Sequence, residues 1–218
     1  MWRQVKDISP VLLTVWGSLT ALVLVSLLFG RWSLAFVSLA TLALSCAPSL
    51  LANRLSITLP MPLVLGIIAF IFGSIFLGEA FDFYERVWWW DLALHALSAI
   101  GFGLIGFLFT LMLFEGDRFA APHWALTFIA FCIAITVGAM WEIFEFGMDQ
   151  IFGFSMQKNG LVDTMEDLMI DAVGGALGAL SGFLYLKGSR RGLFSGLISQ
   201  FVALNKRLYL KSRNKLRK

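Results

Sequence analysis

Charged residues are scarce in this chain, and their scarcity limits what kind of protein it can be. Of its 218 residues, 14% are charged and 59% are hydrophobic, and the mean hydropathy is +0.82. Soluble globular domains carry about 25% charged residues, so this composition excludes that class. The composition is typical of a protein that crosses a membrane several times.

Cysteine and histidine are also scarce, with two residues of each. Cys46 and Cys132 fall in the middle of apolar segments and form no CxxC pair, so the sequence implies neither a disulfide framework nor a thiolate metal site. Two histidines are too few for a zinc site built from three. His123 lies beside Pro122 at the end of an apolar segment, which leaves His95 as the histidine that can serve a buried site.

Six apolar runs are each long enough to cross a membrane as a helix, which takes about 18 residues or more. They cover residues 11–29, 32–51, 62–80, 92–114, 122–147 and 164–186. We therefore predict an all-α protein in which residues 1–186 form one six-helix transmembrane domain. Gly174, Gly178 and Gly182 recur every four residues in the sixth run, and this spacing predicts close contact between helices.

The tail over residues 187–218 has a different character. Apolar and polar residues alternate over 192–210, and a run rich in Lys and Arg follows. We predict an amphipathic helix and a basic segment that lie on anionic lipid, rather than a tail that binds nucleic acid. Because Lys and Arg concentrate in this tail and near residue 1, both termini are expected in the cytoplasm.

Acidic residues are few, but they are not scattered. Eleven of the 14 Asp and Glu residues fall at the same ends of four apolar segments, on the side expected to face away from the cytoplasm. Ionised side chains are costly in a membrane and generally mark a site for an ion or a substrate. The clusters are Glu79, Asp82 and Glu85; Asp91 with His95; Glu142, Glu145 and Asp149; and Asp163, Glu166, Asp167 and Asp171.

Helical spacing places each of the last three clusters on a single helix face. Asp91 and His95 are separated by one helical turn, and the acids of the fifth and sixth segments recur at intervals that also return to one face. We predict one metal site assembled from these three helices. Its candidate ligands are Asp91, His95, Glu142, Glu145, Asp149, Asp163, Asp167 and Asp171.

Arg86 and Lys158 are the basic residues that accompany these acids in the sequence. Neighbouring like charges repel strongly in a medium of low dielectric constant, so either some acids are protonated or a divalent cation holds them. Oxygen-rich ligation favours Mg, Mn or Ca, with Zn or Fe less favoured choices through His95. Another interpretation stays open, in which these residues form a hydrogen-bonded structural network with Trp141 and Thr164.

The leading functional hypothesis is a metal-dependent enzyme that acts on a lipid-linked phosphate or diphosphate. In this hypothesis Glu142 or Glu145 is the general base, and Lys158 and Arg86 contact the anionic group. The segment 150–162 is either a lid over the site or a plain interfacial loop. The alternatives are a carrier of protons or divalent cations and a structural or accessory membrane protein. The sequence indicates contact with membrane lipids and identifies no partner protein.

Four motifs follow one another in a fixed order. They are Tyr84-Glu-Arg-Val; Trp90-Asp-Leu-Ala-Leu-His95 with Ser98; Trp141-Glu-Ile-Phe-Glu145 with Asp149; and Asp163-Thr-Met-Glu-Asp167 with Asp171 and Gly174-Gly175. Over residues 62–186 their order and spacing resemble the YjdF-like family of bacterial inner-membrane proteins and, more distantly, VanZ-like membrane proteins. The resemblance implies a multipass protein of the bacterial inner membrane and supports the site, but it implies no particular reaction.

Overall fold

A computed structural model describes residues 10–114, 121–189 and 194–207 of the chain. Within these residues six helices are long and apolar enough to cross a membrane, which confirms the predicted fold class. The elements are α1 (Pro10–Leu28), α2 (Trp32–Leu55), α3 (Met61–Ile71) continued by a π-helix (Phe72–Ala80), the short α4 (Phe83–Arg86), α5 (Trp90–Leu113), α6 (His123–Phe152), α7 (Leu161–Leu186) and α8 (Ser195–Leu204).

Two spans extend past the ranges predicted from hydropathy, and both extensions carry candidate site residues. α6 continues to Phe152 where the prediction ended at 147, and α7 begins at Leu161 where the prediction began at 164. Charged residues at these ends lower the local hydropathy without interrupting the helix. Asp149 and Asp163 therefore lie on helices, as their spacing predicts.

Glycine sets both ends of the turn between α6 and α7. Gly153 has a φ of 69°, and its N–H donates to the carbonyl oxygen of Asp149 at 3.0 Å, which ends α6. Gly160, which precedes α7, has a φ of 60°. Glycine adopts such conformations at little cost because it lacks a Cβ atom. These two residues allow the chain to reverse within a short turn.

The third span changes its helical form partway. Phe72–Ala80 form a nine-residue π-helix, a wider form than the α-helix that precedes it. The indole Nε1 of Trp90 donates to the carbonyl oxygen of Gly73 at 3.3 Å, and the ring of Tyr84 lies against Gly78. A Cβ atom at Gly78 would collide with that ring, so the glycine is needed for this contact.

The helices fall into two compact units, Met1–Trp90 and Asp91–Lys218. In the first unit α1 packs along α2, and Leu12 forms a small buried core with Val64 and Ile68. The prediction that residues 1–186 form one transmembrane domain stays a prediction.

Small residues form the helix contacts of the second unit. The backbone of Gly103 on α5 lies against that of Gly178 on α7, and Gly106 on α5 lies against Ala130 on α6. A Cβ atom at any of these three glycines would come within 3.0 Å of a neighbouring backbone oxygen. The glycine spacing predicted this close approach, and it brings the acidic faces of α5, α6 and α7 together.

α8 lies in the part of the tail that was predicted to be amphipathic. Its buried residues Ser195, Ile198 and Phe201 share one face, and the helix packs against α7. Lys206 and Arg207 follow it and are exposed. The basic run over 211–218, on which the predicted contact with anionic lipid mainly depends, lies outside the described residues.

Candidate metal centre

The interior of the second unit holds one histidine and two carboxylates from three different helices. His95 lies on α5, Glu142 on α6 and Asp167 on α7, and their exposed fractions are 7%, 4% and 2%. The His95 Nε2 atom lies 3.8 Å from Glu142 Oε1 and 3.9 Å from Asp167 Oδ2. The three side chains offer ligand atoms that all lie within 4.8 Å of one another.

These separations suit a shared cation better than direct hydrogen bonds. An N–H···O hydrogen bond needs a donor–acceptor distance of about 2.7–3.2 Å, and both distances from Nε2 exceed it. Two ligand atoms that each lie about 2.1 Å from one cation can be up to about 4.2 Å apart. The gap between the histidine and each carboxylate is therefore of the size that a cation spans.

Three oxygens of this group make no hydrogen bond of good geometry among the described residues, although the Thr164 side chain lies near enough to Glu142 to interact with its carboxylate. They are Oε1 and Oε2 of Glu142 and Oδ2 of Asp167, all fully enclosed. An unsatisfied buried polar group costs roughly 1–3 kcal/mol, and an ionised one costs more. A bound cation or a proton would supply what these oxygens lack.

The other ring nitrogen of His95 faces a further carboxylate. Nδ1 lies 3.4 Å from Oδ1 of Asp171, a residue that is 2% exposed. Metal-binding histidines commonly direct their second ring nitrogen to a carboxylate, which fixes the orientation of the ring. Oδ2 of Asp171 lies against Gly138 on α6, where a Cβ atom would collide with it. The 3.4 Å separation is longer than a hydrogen bond, and both oxygens of Asp171 lack a hydrogen-bond partner among the described residues, so the contact is an electrostatic one between neighbouring groups.

Asp149 orders the turn between α6 and α7. Its two carboxylate oxygens accept hydrogen bonds from the backbone N–H groups of Met156 and Gln157 at 2.7 and 2.9 Å. The side chain of Gln157 in turn donates to Oγ1 of Thr164 at 2.6 Å. The turn is thereby attached to both helices, and the prediction that Asp149 is a metal ligand stays a prediction.

Lys158, in the turn between α6 and α7, contacts acids of both α5 and α7. Its backbone N–H donates to Asp163 Oδ2 at 3.2 Å, and its Nζ atom lies 3.2 Å from Asp91 Oδ2. Asp91, Asp163 and Asp167 form a second group whose ligand atoms lie within 4.8 Å of one another. This geometry favours the lid interpretation of the segment over a plain interfacial loop.

Glu145 lies one helical turn from Glu142 on the same face of α6 and is 7% exposed. Its Oε1 atom accepts a hydrogen bond from the indole Nε1 of Trp141 at 2.9 Å. The bond fixes the orientation of the carboxylate. It is also one contact that the structural-network interpretation expected.

Residues 11–188 match the family described as "Predicted membrane protein (DUF2238)", and this stretch contains every candidate residue of the site. The chain belongs to the DUF2238 family. Membership confirms the expected multipass membrane family and agrees with the resemblance to YjdF-like proteins.

A relative in Thermotoga maritima, described as an "Uncharacterized protein", is 33% identical to this DUF2238 chain over 98 residues. The alignment covers 45% of this chain and 50% of the relative, so the chain spans about half the length of that protein. No solved structure matches the chain.

The other acids of this DUF2238 chain that the sequence singled out are exposed. Arg86 pairs with Asp82 at 3.3 Å in the first unit, with side chains that are 68% and 61% exposed. Glu79, Glu85 and Glu166 are exposed as well. The role of Arg86 as a contact for an anionic group stays a prediction.

Two parts of the site did not follow from the sequence. The bond from Gln157 to Thr164 had no signal, because glutamines in turns are common and their partners depend on the turn's conformation. The different surroundings of Asp167 and Asp171 had no signal either, because both lie on the same face of α7. The position of Gly138 at the site did have a sequence signal, because this glycine precedes Glu142 by one helical turn on the acidic face of α6.

Proposed function

We propose that this integral membrane protein binds a divalent cation through His95, Glu142 and Asp167 and uses it to transfer or hydrolyse the phosphate group of a lipid-linked substrate. The observation that carries the proposal is the enclosed set of carboxylate oxygens around His95 Nε2, which make no hydrogen bond of good geometry among the described residues. A divalent cation would satisfy these oxygens and remove their mutual repulsion at once.

The ligand types favour a hard cation. The two carboxylates suit Mn²⁺, Mg²⁺ and Ca²⁺, and the imidazole favours Mn²⁺ among them because Mg²⁺ and Ca²⁺ prefer oxygen ligands; water would complete the coordination of any of the three. Zn²⁺ and Fe²⁺ accept imidazole readily, but carboxylate-dominated sites favour them less. When bound, the cation would supply Lewis acidity toward a phosphoryl oxygen.

The surrounding residues have roles that follow from their positions. Glu145, oriented by Trp141 and adjacent to Glu142 along the helix face, is the general base that takes a proton from water or a hydroxyl group. Lys158, whose side chain is 26% exposed, contacts the anionic group at the mouth of the site. The site lies within helices that cross the membrane, so a phosphate attached to a lipid tail would reach it from the bilayer.

Binding of Mn²⁺ to the purified full-length protein tests the first part of the proposal. We expect a dissociation constant of about 10⁻⁶ to 10⁻³ M, in the range of oxygen-rich sites. Glu142→Gln should weaken binding at least about tenfold, since it removes an anionic ligand. Glu166→Gln is the matched control because this acid is exposed on the same helix as Asp167. Equal loss in both variants, or no binding at all, would contradict the proposal.

Phosphate release tests the second part. We expect Mn²⁺-dependent or Mg²⁺-dependent release of phosphate from polyprenyl diphosphate or phosphatidate in mixed micelles. Glu145→Gln should abolish release while leaving Mn²⁺ binding nearly unchanged, because this residue acts on the nucleophile. If the protein binds metal but releases phosphate from neither lipid, the enzymatic part is wrong and the binding part stands.

In this proposal the protein lies in the bacterial inner membrane with both termini in the cytoplasm and its basic tail on anionic lipid. The excess of Lys and Arg at the two ends supports this orientation. In a variant without Cys46 and Cys132, a cysteine at Asn159 should react with a membrane-impermeant thiol reagent added outside. A cysteine at Ser212, which lies outside the described residues, should be protected. The reverse labelling pattern would overturn the orientation.

A further inference from the structure

Asp167 belongs to two groups of potential ligands at once. With His95 and Glu142 it forms the inner group, and with Asp91 and Asp163 it forms an outer group whose ligand atoms also lie within 4.8 Å of one another. Asp167 is 2% exposed, and its Oδ2 atom has no hydrogen-bond donor among the described residues. One buried carboxylate is therefore directed at two neighbouring positions where positive charge is needed.

The ammonium group of Lys158 already lies beside the outer group. Nζ of Lys158 lies 3.2 Å from Asp91 Oδ2, and the side chains of Lys158 and Asp91 are 26% and 16% exposed. The backbone N–H of Lys158 donates a hydrogen bond to Asp163, and this bond holds the residue beside the outer group. The bond does not involve the side-chain ammonium. The turn is separately held by Asp149, whose bonds go to backbone atoms of other residues. The conformation of the turn therefore does not depend on the Lys158 ammonium alone.

We infer that Asp91, Asp163 and Asp167 form a second divalent-cation position, that Asp167 bridges the two cations, and that the Lys158 ammonium competes for the outer position. The inference rests on the proposed function, because it adds a cation to the one bound at His95 and Glu142. Two cations that share a carboxylate lie about 3.5–4 Å apart, the spacing of two-metal sites that act on phosphate esters. Entry of the outer cation releases Lys158 from Asp91 and leaves its ammonium available to an anionic group.

Competition between the Lys158 ammonium and the outer cation predicts how the affinity for the second cation changes when the ammonium is removed. A cation in the outer position and an ammonium beside Asp91 repel each other, so the outer cation binds more weakly than the inner one while Lys158 is present. Replacing Lys158 by Met removes the ammonium but keeps a side chain of similar length. The second Mn²⁺ should then bind roughly tenfold more tightly or better, while the first should change little.

The experiment is a Mn²⁺ titration of the full-length protein in detergent, followed by electron paramagnetic resonance. Loss of the free Mn²⁺ signal counts the bound ions, and spin coupling between ions reports that two of them are adjacent. We expect two bound ions with coupling in the wild type, and tighter binding of the second in Lys158→Met. Asp163→Asn should retain one ion and lose the coupling, while its amide oxygen can still accept the bond from the Lys158 N–H. Lys206→Met, which removes an exposed lysine after α8, should match the wild type.

The outcomes separate the two proposals. One bound ion in the wild type and in Lys158→Met, lost in Glu142→Gln, would overturn the second position and leave the first intact. Two ions without coupling, or a second ion retained in Asp163→Asn, would also overturn it. Absence of any bound Mn²⁺ would overturn both proposals. If Lys158→Met does not fold, the wild type and Asp163→Asn still decide the matter.

Discussion

α2 and the acidic helices α6 and α7 both bury polar side chains inside apolar spans, but they do so with different chemistry. On α2 the buried polar groups are hydroxyls, and each donates to a carbonyl oxygen of its own helix: Ser38 to Leu34 at 2.7 Å, Thr41 to Val37 at 2.8 Å and Ser45 to Leu42 at 2.7 Å. A hydroxyl on a helix can satisfy itself in this way, although the buried hydroxyl of Ser26 on α1 does not. The three α2 residues need nothing from outside their own helix.

The carboxylates of α6 and α7 have no such option. An ionised carboxylate only accepts hydrogen bonds, and the N–H groups within a helix are already used. Asp149 accepts hydrogen bonds from the turn and Glu145 accepts one from Trp141, whereas Glu142 accepts none of good geometry among the described residues, although Thr164 lies near it. The two regions therefore differ in whether a buried polar group is satisfied within its own helix. Under the proposed function, the enclosed carboxylates take a cation as the partner that the chain does not supply.

The largest expected effect comes from removing the acid shared by both groups. In the wild type, Mn²⁺ at about 100 times its dissociation constant should add about 2.7 kcal/mol to the free energy of unfolding. Asp167→Ala should lose that gain, yet without metal it should be as stable as the wild type or more so, because the change relieves repulsion. Thermal unfolding in detergent, with Mn²⁺ or with EDTA, measures both states.

Thr41→Val is the matched change on α2. It removes a buried hydroxyl that is satisfied within its own helix and keeps the side-chain shape, so stability should change by less than about 1 kcal/mol with or without Mn²⁺. A loss of stability in Asp167→Ala in both conditions would remove the contrast. The acids would then form a structural network and not a binding site.

An intermediate effect is expected from a residue that touches no metal. Gly138→Ala places a methyl group where Oδ2 of Asp171 lies, so Asp171 must move away from Nδ1 of His95. Loss of an orienting carboxylate typically weakens metal binding about 10–100-fold, and Mn²⁺ titration measures it. Gly147→Ala on the same helix has open space around its Cβ position and should bind Mn²⁺ as the wild type does. Equal affinities in the two variants would show that Asp171 does not orient the histidine.

Much of the fold could be predicted because the membrane imposes a simple rule on sequence. Each span must be long and apolar, and the hydropathy pattern located all six of them. The π-helix at Phe72–Ala80 could not be predicted, because its form depends on contacts such as that from Trp90 to Gly73, a residue 17 positions earlier. The helices α6 and α7 also continue past the predicted spans, through Asp149 and Asp163, where acids lower the hydropathy.

The sequence predicted which residues form the candidate site, but it did not predict which partner each of them has. Helical spacing placed His95, Glu142 and Asp167 on inward faces, and glycine spacing predicted that these faces meet. Spacing could not assign partners, because the pairing of Asp91 with Lys158 joins residues 67 positions apart through a turn whose path depends on backbone conformation. The sequence therefore predicts which residues gather, and the geometry distinguishes those with protein partners from those without.

The parts of α5, α6 and α7 that lie away from the acidic residues bear on whether the protein could transport an ion. On α5 and α6 the buried residues there include Leu104, Phe107 and Leu126. The buried hydroxyls of Thr110 and Ser181 donate to carbonyl oxygens of their own helices, as those of α2 do. Within the described part of α5–α7, the acids thus give way to apolar and self-satisfied residues, which offer a hydrated ion no polar route.

The smallest expected effect is therefore on ion flux, where we predict none. Liposomes that contain the wild-type protein and an internal Mn²⁺-quenched dye should lose fluorescence no faster than liposomes with Asp167→Asn, with or without an imposed pH gradient. The reason is that a cation held by the carboxylates would have to cross apolar packing to reach the other side. Binding of Mn²⁺ by the same preparation must be shown, so that a silent result is not a result of misfolding. Flux above the Asp167→Asn control would mean that the acids lie on a path, and it would favour a carrier of protons or divalent cations over an enzyme.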